Sequence, residues 1–138
     1  MKSSMVPGIK NSLTHKVQLD ETVPHLFGGR AEIKAMPEVL ASGNMIGLME
    51  CCCIGAMAPH LDEGEGSLGV AFNISHEAAT PVGLTVTVEA TLEKVEGRLL
   101  TFAVTAHDGV DVIGRGTHGR MVVGWEKFMG KLAKKAAG

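Results

Sequence analysis

The stretch EVLASGNMIGLMECCCIGAMAPH, running from Glu38 to His60, decides how this chain folds. Between its two ends Glu50 is the only charged residue, set in a run of Met45, Ile46, Leu48, Met49, Cys52, Ile54 and Met57. Apolar residues on nearly every side of a helix mark one that is buried rather than half exposed. The helix is predicted to start between Glu38 and Asn44 and to end at Pro59, whose ring cannot continue it. Gly43, Gly47 and Gly55 each lower its helix propensity by about 1 kcal/mol relative to Ala, which points to close approach of a sheet or ligand. Burying even a neutral polar group without a partner costs roughly 2–7 kcal/mol. Glu50 is therefore either rescued by partners or kept for chemistry, and Ser42 and His76 offer a hydroxyl and an imidazole.

Outward from this helix the pattern changes. Upstream, Leu13 to Leu19 alternates weakly and reads as a first strand. Residues 20–37, with Pro24, Pro37 and Gly28-Gly29, read as an irregular segment holding one short helical turn. Downstream the period becomes two: Leu68, Val70, Phe72, Ile74 and His76 are expected on one strand face, then Val86, Val88, Ala90 and Leu92 on the next. Glu96-Gly97-Arg98 and Asp108-Gly109 read as hairpin turns. They flank a strand with Leu100, Phe102, Val104 and Ala106 on one face, and a last strand runs from Val110 to about Trp125. Gly114 and Gly116 share the face of His118 and Arg120, leaving room for a helix or ligand against the backbone. Strands joined by tight turns are antiparallel, so the expected class is α+β, one buried helix against one long antiparallel sheet. The tail from Glu126 to Gly138 reads as a basic amphipathic helix, a solvated surface element or an attractor of phosphorylated ligands.

A chain of 138 residues suits one domain spanning 1–138. Hydrophobic residues make up 45% and mean hydropathy is +0.18, which excludes a disordered chain. A net charge of −2, aromatics at 4% and no Tyr argue against a nucleic-acid partner. No apolar run approaches the ~20 residues of a membrane helix, and no signal-peptide pattern is read, so a cytoplasmic protein with no membrane partner is expected. Cys51, Cys52 and Cys53 are adjacent. Helical neighbours point about 100° apart and cannot converge on one metal ion. They are read as reduced core residues, and no metal or cofactor is expected.

The residues together are similar to the fluoroacetyl-CoA thioesterase group, a family of the hotdog fold in which a sheet wraps one central helix. The resemblance lies in Pro37-Glu38-Val39, Ala41-Ser42-Gly43, Gly47-Leu48-Met49-Glu50 and Ala56-Met57-Ala58-Pro59. It continues through Gly64 to Gly69, His76, Ala79-Thr80-Pro81, Gly83 to Val88, Val95 to Arg98, Ala106 to Asp111, Gly116-Thr117-His118 and Arg120. It implies a homodimer with active sites near the subunit interface and an acyl-CoA substrate. It also carries a set of site residues onto Ser42 (serine in place of the family's threonine), Glu50, His76, Gly69 and Arg120. Two phenylalanines that form the family's lid over the acyl group are replaced by Ile33 and Met36, and an aromatic before the glutamate is replaced by Asn44. The resemblance thus implies thioester hydrolysis and leaves the preferred acyl group open.

In that reading Glu50 activates water or attacks the carbonyl, His76 is the acid/base, Gly69 offers its N–H to the thioester oxygen, and Arg120 with Ile33 and Met36 shapes the acyl site. Eight residues of straight helix separate Ser42 from Glu50 by ~12 Å. Either Ser42 precedes the helix on a segment that bends back, or the contact comes from a second subunit. Two other readings stay open: a hotdog hydratase or dehydratase, which would want a differently placed His and Asp, and a non-catalytic acyl-CoA binding module, which would not hydrolyse thioesters.

Overall fold

A computed structural model describes residues 1–138. Five strands form one antiparallel sheet: β1 (Lys10–Lys16), β2 (Glu65–His76), β3 (Thr85–Glu96), β4 (Leu99–His107) and β5 (Val112–Gly124), in the order β1-β3-β4-β5-β2. Helix α1 (Ser42–Met57) lies on one face, and α2 (Trp125–Ala137) follows β5 directly. The first strand begins and ends three residues earlier than the alternation from Leu13 to Leu19 suggests. The segment after it holds short 3-10 turns at Leu19–Glu21 and Val23–Gly28. No helix is long and apolar enough to cross a membrane.

The core forms where the period-two faces meet the helix. Val86, Val88, Ala90 and Leu92 of β3 and Leu100, Phe102, Val104 and Ala106 of β4 are buried against Met45, Met49, Cys52 and Ala56 of α1. Gly97 and Gly109 close the two hairpins at φ 64° and 89°, a backbone conformation that costs glycine nothing. The expected close approach at Gly114 is present: a Cβ there would lie 2.7 Å from the Met45 side chain.

Two expectations need correction. The strand β2 does not keep Leu68 on the face of Phe72, Ile74 and His76. Its register against β5 shifts between Gly69 and Ala71, and such a bulge inserts one residue and turns the following side chains to the other face. Gly69 pairs with Arg120 and Phe72 with His118, so Gly69, Phe72, Ile74 and His76 face the helix side while Leu68 faces away. Second, α1 is not covered all round. Met45, Met49, Cys52, Cys53, Ala56 and Met57 are buried, but Gly43, Cys51 and Ile54 are exposed, Ile54 at 45%. A Cβ at Gly43 or Gly47 would meet nothing within 4 Å; of the three helix glycines only Gly55 is approached, by Asn11. The apolar pattern that predicted a buried helix thus has a face this chain alone leaves open.

Candidate active site

Helix α1 presents functional groups at its start and at its middle. Ser42 is the first helical residue; the N-cap position belongs to Ala41, and no side chain caps the helix. Freed from capping, the Ser42 hydroxyl lies 2.7 Å from Nδ1 of His76, the last residue of β2. Both side chains are exposed, at the edge of a cavity of about 320 Å³ that Val23, Leu40 and Glu77 also line. Glu77 is gripped by Arg115 at 2.8 and 3.0 Å, and that guanidinium, with the Ser75 hydroxyl, holds its carboxyl down at about 2. The cavity therefore has beside the imidazole a carboxylate whose charge is offset by Arg115.

Two helical turns on, Glu50 meets a different set of partners. Its Oε2 accepts from Nη1 of Arg120 at 2.9 Å. Arg120 is 3% exposed, and its remaining donors are directed: Nε to the Ser67 hydroxyl at 2.8 Å and Nη2 to the Ser67 carbonyl at 3.0 Å. Nη1 also lies 3.1 Å from Nε2 of His118, a fully buried ring stacked on Phe72 with centroids 4.4 Å apart. The Nδ1 of His118 is 2.8 Å from the Ala71 carbonyl. Burial lowers the pKa of His118, and the adjacent Arg120 charge lowers it further against the opposing pull of the Ala71 bond. No buried side-chain polar atom is left without a partner, so the rescue Glu50 requires is supplied by arginine.

Gly69 belongs to this second cluster. A Cβ on it would lie 2.6 Å from Oε2 of Glu50 and 3.2 Å from the His118 ring, so any other residue would displace the carboxylate. The chain thus brings Glu50, Gly69 and Arg120 together, and separately Ser42 and His76. It does not bring the two sets together: with Ser42 inside α1, the bent-segment route to Glu50 is closed within one chain. Ile33 and Met36 sit in a turn closed by the Met36 N–H on the Ile33 carbonyl, Met36 is 49% exposed, and neither lines the Ser42–His76 cavity. Ser67 and His118 are the members that sequence reasoning gave no role. Their signal was the alternation that puts Ser67 with Gly69, and His118 with Arg120, on one strand face.

The cysteines divide. Cys51 is exposed, whereas Cys52 and Cys53 are buried, and burial pushes their thiols up to about 11 and 12. No cluster of His, Cys, Asp and Glu suits a metal ion. A groove of about 400 Å³ between β5 and α2, rimmed by Arg98, Lys127 and Lys131, borders none of these site residues.

One antiparallel sheet packed on a single helix is the arrangement of the hotdog fold, and family similarity puts the chain in its thioesterase class. A sequence-family profile described as FlK, fluoroacetyl-CoA-specific thioesterase, matches residues 20–126. The chain is 52% identical over 135 residues to the fluoroacetyl-CoA thioesterase of Streptantibioticus cattleyicolor, covering 98% of this chain and 97% of that protein. It belongs to the fluoroacetyl-CoA-specific thioesterase family. Among solved structures it is similar to FlK at 51% identity and TM-score 0.93, covering 96% of this chain and 98% of that one. A threonine-to-serine variant of FlK in complex with acetyl-CoA is similar at 53% identity and TM-score 0.92, with 95% and 98% covered.

Proposed function

We propose that this protein is an acyl-CoA thioesterase that hydrolyses fluoroacetyl-CoA and similar short acyl thioesters, and that it works as a homodimer whose two site halves meet across the subunit interface. One observation carries the reading: β2 holds both halves, Gly69 beside Glu50 and Arg120, and His76 bound to Ser42, and it is an edge strand. Along one strand the two positions lie about 20 Å apart. If β2 pairs antiparallel with its own copy about a two-fold axis between Phe72 and Asn73, Gly69 comes opposite His76 of the partner subunit, one strand spacing of about 4.8 Å away.

Other features support this pairing. The opposite edge, β1, is shorter and carries Lys10 and Lys16 at its ends, a common guard against further pairing. By contrast β2 is 12 residues long and exposes Val70 and Phe72 at 52% and 47%. The uncovered face of α1, with Ile54 exposed and Gly43 and Gly47 facing open space, needs the same cover.

The chemistry follows from the groups present. Arg120 occupies Oε2 of Glu50, and Oε1 makes no hydrogen bond, leaving it to act on the thioester carbonyl directly or through water. By either route the acyl carbon gains an oxygen and the carbon–sulfur bond breaks; on the direct route water then cleaves the acyl–Glu50 anhydride, releasing the acid and restoring the carboxylate. The carbonyl oxygen, negative as the tetrahedral centre forms, is met by the Gly69 N–H. When the Ser42 hydroxyl, 2.7 Å from Nδ1 of His76, donates to that nitrogen, the neutral ring carries its proton on Nε2, free to donate toward the departing sulfur. A thiol with a pKa near 8.5 leaves readily, so this proton assists rather than decides the step. Ile33 and Met36 complete the acyl site in the assembled dimer. The three free cysteines suit a reducing, cytoplasmic setting, where acyl-CoA substrates are also found.

The test is a hydrolysis panel of acyl-CoA esters with purified protein, fluoroacetyl-CoA and acetyl-CoA side by side, following free thiol. Release of CoA from short acyl esters is expected. No release from any ester would remove the thioesterase reading, and equal rates on the two named esters would remove selectivity for fluorine.

A further inference from the structure

We propose that His118 is a positioning residue for Glu50, acting through Arg120, whose guanidinium it locks by accepting one Nη1 hydrogen. This rests on the reading of Glu50 as the group that acts on the thioester.

The geometry fixes the state of the ring. A carbonyl only accepts, so the 2.8 Å contact with Ala71 requires a hydrogen on Nδ1 of His118. A guanidinium only donates, so the 3.1 Å contact with Arg120 requires a bare lone pair on Nε2. One tautomer, neutral, satisfies both. Protonation would set an N–H against the N–H of Arg120 inside a fully buried site. The charged groups that act on the ring are Arg120 on its own strand and Glu50 from α1, and the Cys53 thiol of α1 feels that same Arg120–Glu50 pair. Strand β2 offers only Phe72 and the Ala71 carbonyl, and β4 contributes the buried Phe102 in register with His118.

The consequence is for Arg120. Its Nη1 carries two hydrogens, one directed at Glu50 and the other at His118, while Nε and Nη2 are held by Ser67. Without the imidazole acceptor, the Nη1 end is tethered only by a carboxylate that is itself 34% exposed. The cation can then tilt, and Glu50 with it. A carboxylate moved by a fraction of its bond length to the reacting carbon loses rate out of proportion to any loss of fold, as much as 10²-fold for about 1 Å.

The experiment compares His118→Phe, which keeps the stack on Phe72 and loses both ring nitrogens, with His118→Gln, whose amide oxygen can accept from Arg120. On the best acyl-CoA ester, His118→Phe is expected to lower kcat roughly 10- to 100-fold with KM changed less than about 2-fold. The acid limb of its pH profile should shift, and His118→Gln should recover part of kcat. A merely structural histidine would instead lower the unfolding midpoint and leave kcat and the acid limb of the folded enzyme as in the wild type; that result overturns the proposal. Ring-nitrogen NMR of the wild-type protein tests the same geometry without turnover. Nδ1 should be protonated and Nε2 bare at neutral pH, with protonation of Nε2 displaced below the range of a free imidazole, and a ring that titrates as a free imidazole or holds the opposite tautomer overturns the proposal even if His118→Phe fails to fold. A wild type that hydrolyses no thioester sinks the thioesterase reading, and the NMR result still decides the geometry.

Discussion

The two ends of the site differ in how firmly they are held. Around Glu50, a buried arginine has four of its five N–H groups directed by Ser67, His118 and Glu50 itself. Around Ser42 there is one hydrogen bond, between two exposed side chains. The first region is specified within one chain by packing and by the cost of leaving a buried charge unpaired. The second has little to hold it until something covers it. Rigidity lies where charge must be aimed, and openness at the end that the proposed second subunit would cover.

Substitution at the rigid end carries the largest effects. Glu50→Gln keeps size and removes the basic oxygen, so kcat should fall by about 10²- to 10⁴-fold while the fold persists; full activity in steady-state hydrolysis would end the assignment. Arg120→Leu leaves Glu50 without its cation and Ser67 without its donor. Breaking a buried pair costs about 3–5 kcal/mol, and because Glu50 is a third exposed the lower figure, about 3 kcal/mol, is expected in denaturant unfolding. A loss under about 1 kcal/mol, the range of exposed pairs, would show that this end is no firmer than the other.

Whether the two regions serve one reaction across two chains is tested by mixing. Glu50→Gln and His76→Ala homodimers should each be nearly inactive. After co-refolding, half the dimers are mixed, and each mixed dimer holds one site with both lesions and one with none, giving roughly a quarter of wild-type activity. If the regions acted within one chain, every site in the mixture would carry a lesion and nothing would be recovered.

The same contrast explains what was legible in the sequence. The faces of β3 and β4 followed from strict alternation because both strands pack one side on the helix and nothing interrupts their core-facing runs through Leu92 and Phe102. The helix end followed from Pro59, two residues past the last helical residue Met57, and the start at Ser42 falls inside the expected span from Glu38 to Asn44. The bulge after Gly69 did not: it shows only in the register of β2 against β5, and Leu68-Gly69-Val70 alternates as well as any regular strand. Glu50 announced itself by being alone among apolar residues, but the partner it has within its own chain did not. Ser42 and His76 were the polar groups near it in sequence or family pattern. Arg120, 70 residues away, reaches it because Gly69 leaves space beside the carboxylate and β5 runs next to β2. The exposed face of α1 reads in sequence as buried, since a pattern of apolar residues records that a face is covered and not which chain covers it.

The smallest effect is expected at the open end, and it separates chemistry from structure most cleanly. Ser42 makes no helix cap, so Ser42→Ala removes no backbone partner and replaces a modest helix former with the best one. Stability should stay within about 0.5 kcal/mol, as for an ordinary surface change. The hydroxyl is, however, the only group in the chain that contacts Nδ1 of His76. Its loss frees the ring to turn and to exchange tautomers, so kcat should fall about 10-fold, the equivalent of about 1.4 kcal/mol. Ser42→Thr restores an oxygen at the same place and should return most of the rate. Unchanged turnover in Ser42→Ala would mean that His76 is oriented by the partner subunit and not by α1, leaving the open end of each site to be built wholly at the interface. A drop in unfolding free energy equal to the drop in rate would instead make the pair a structural clasp between α1 and the end of β2.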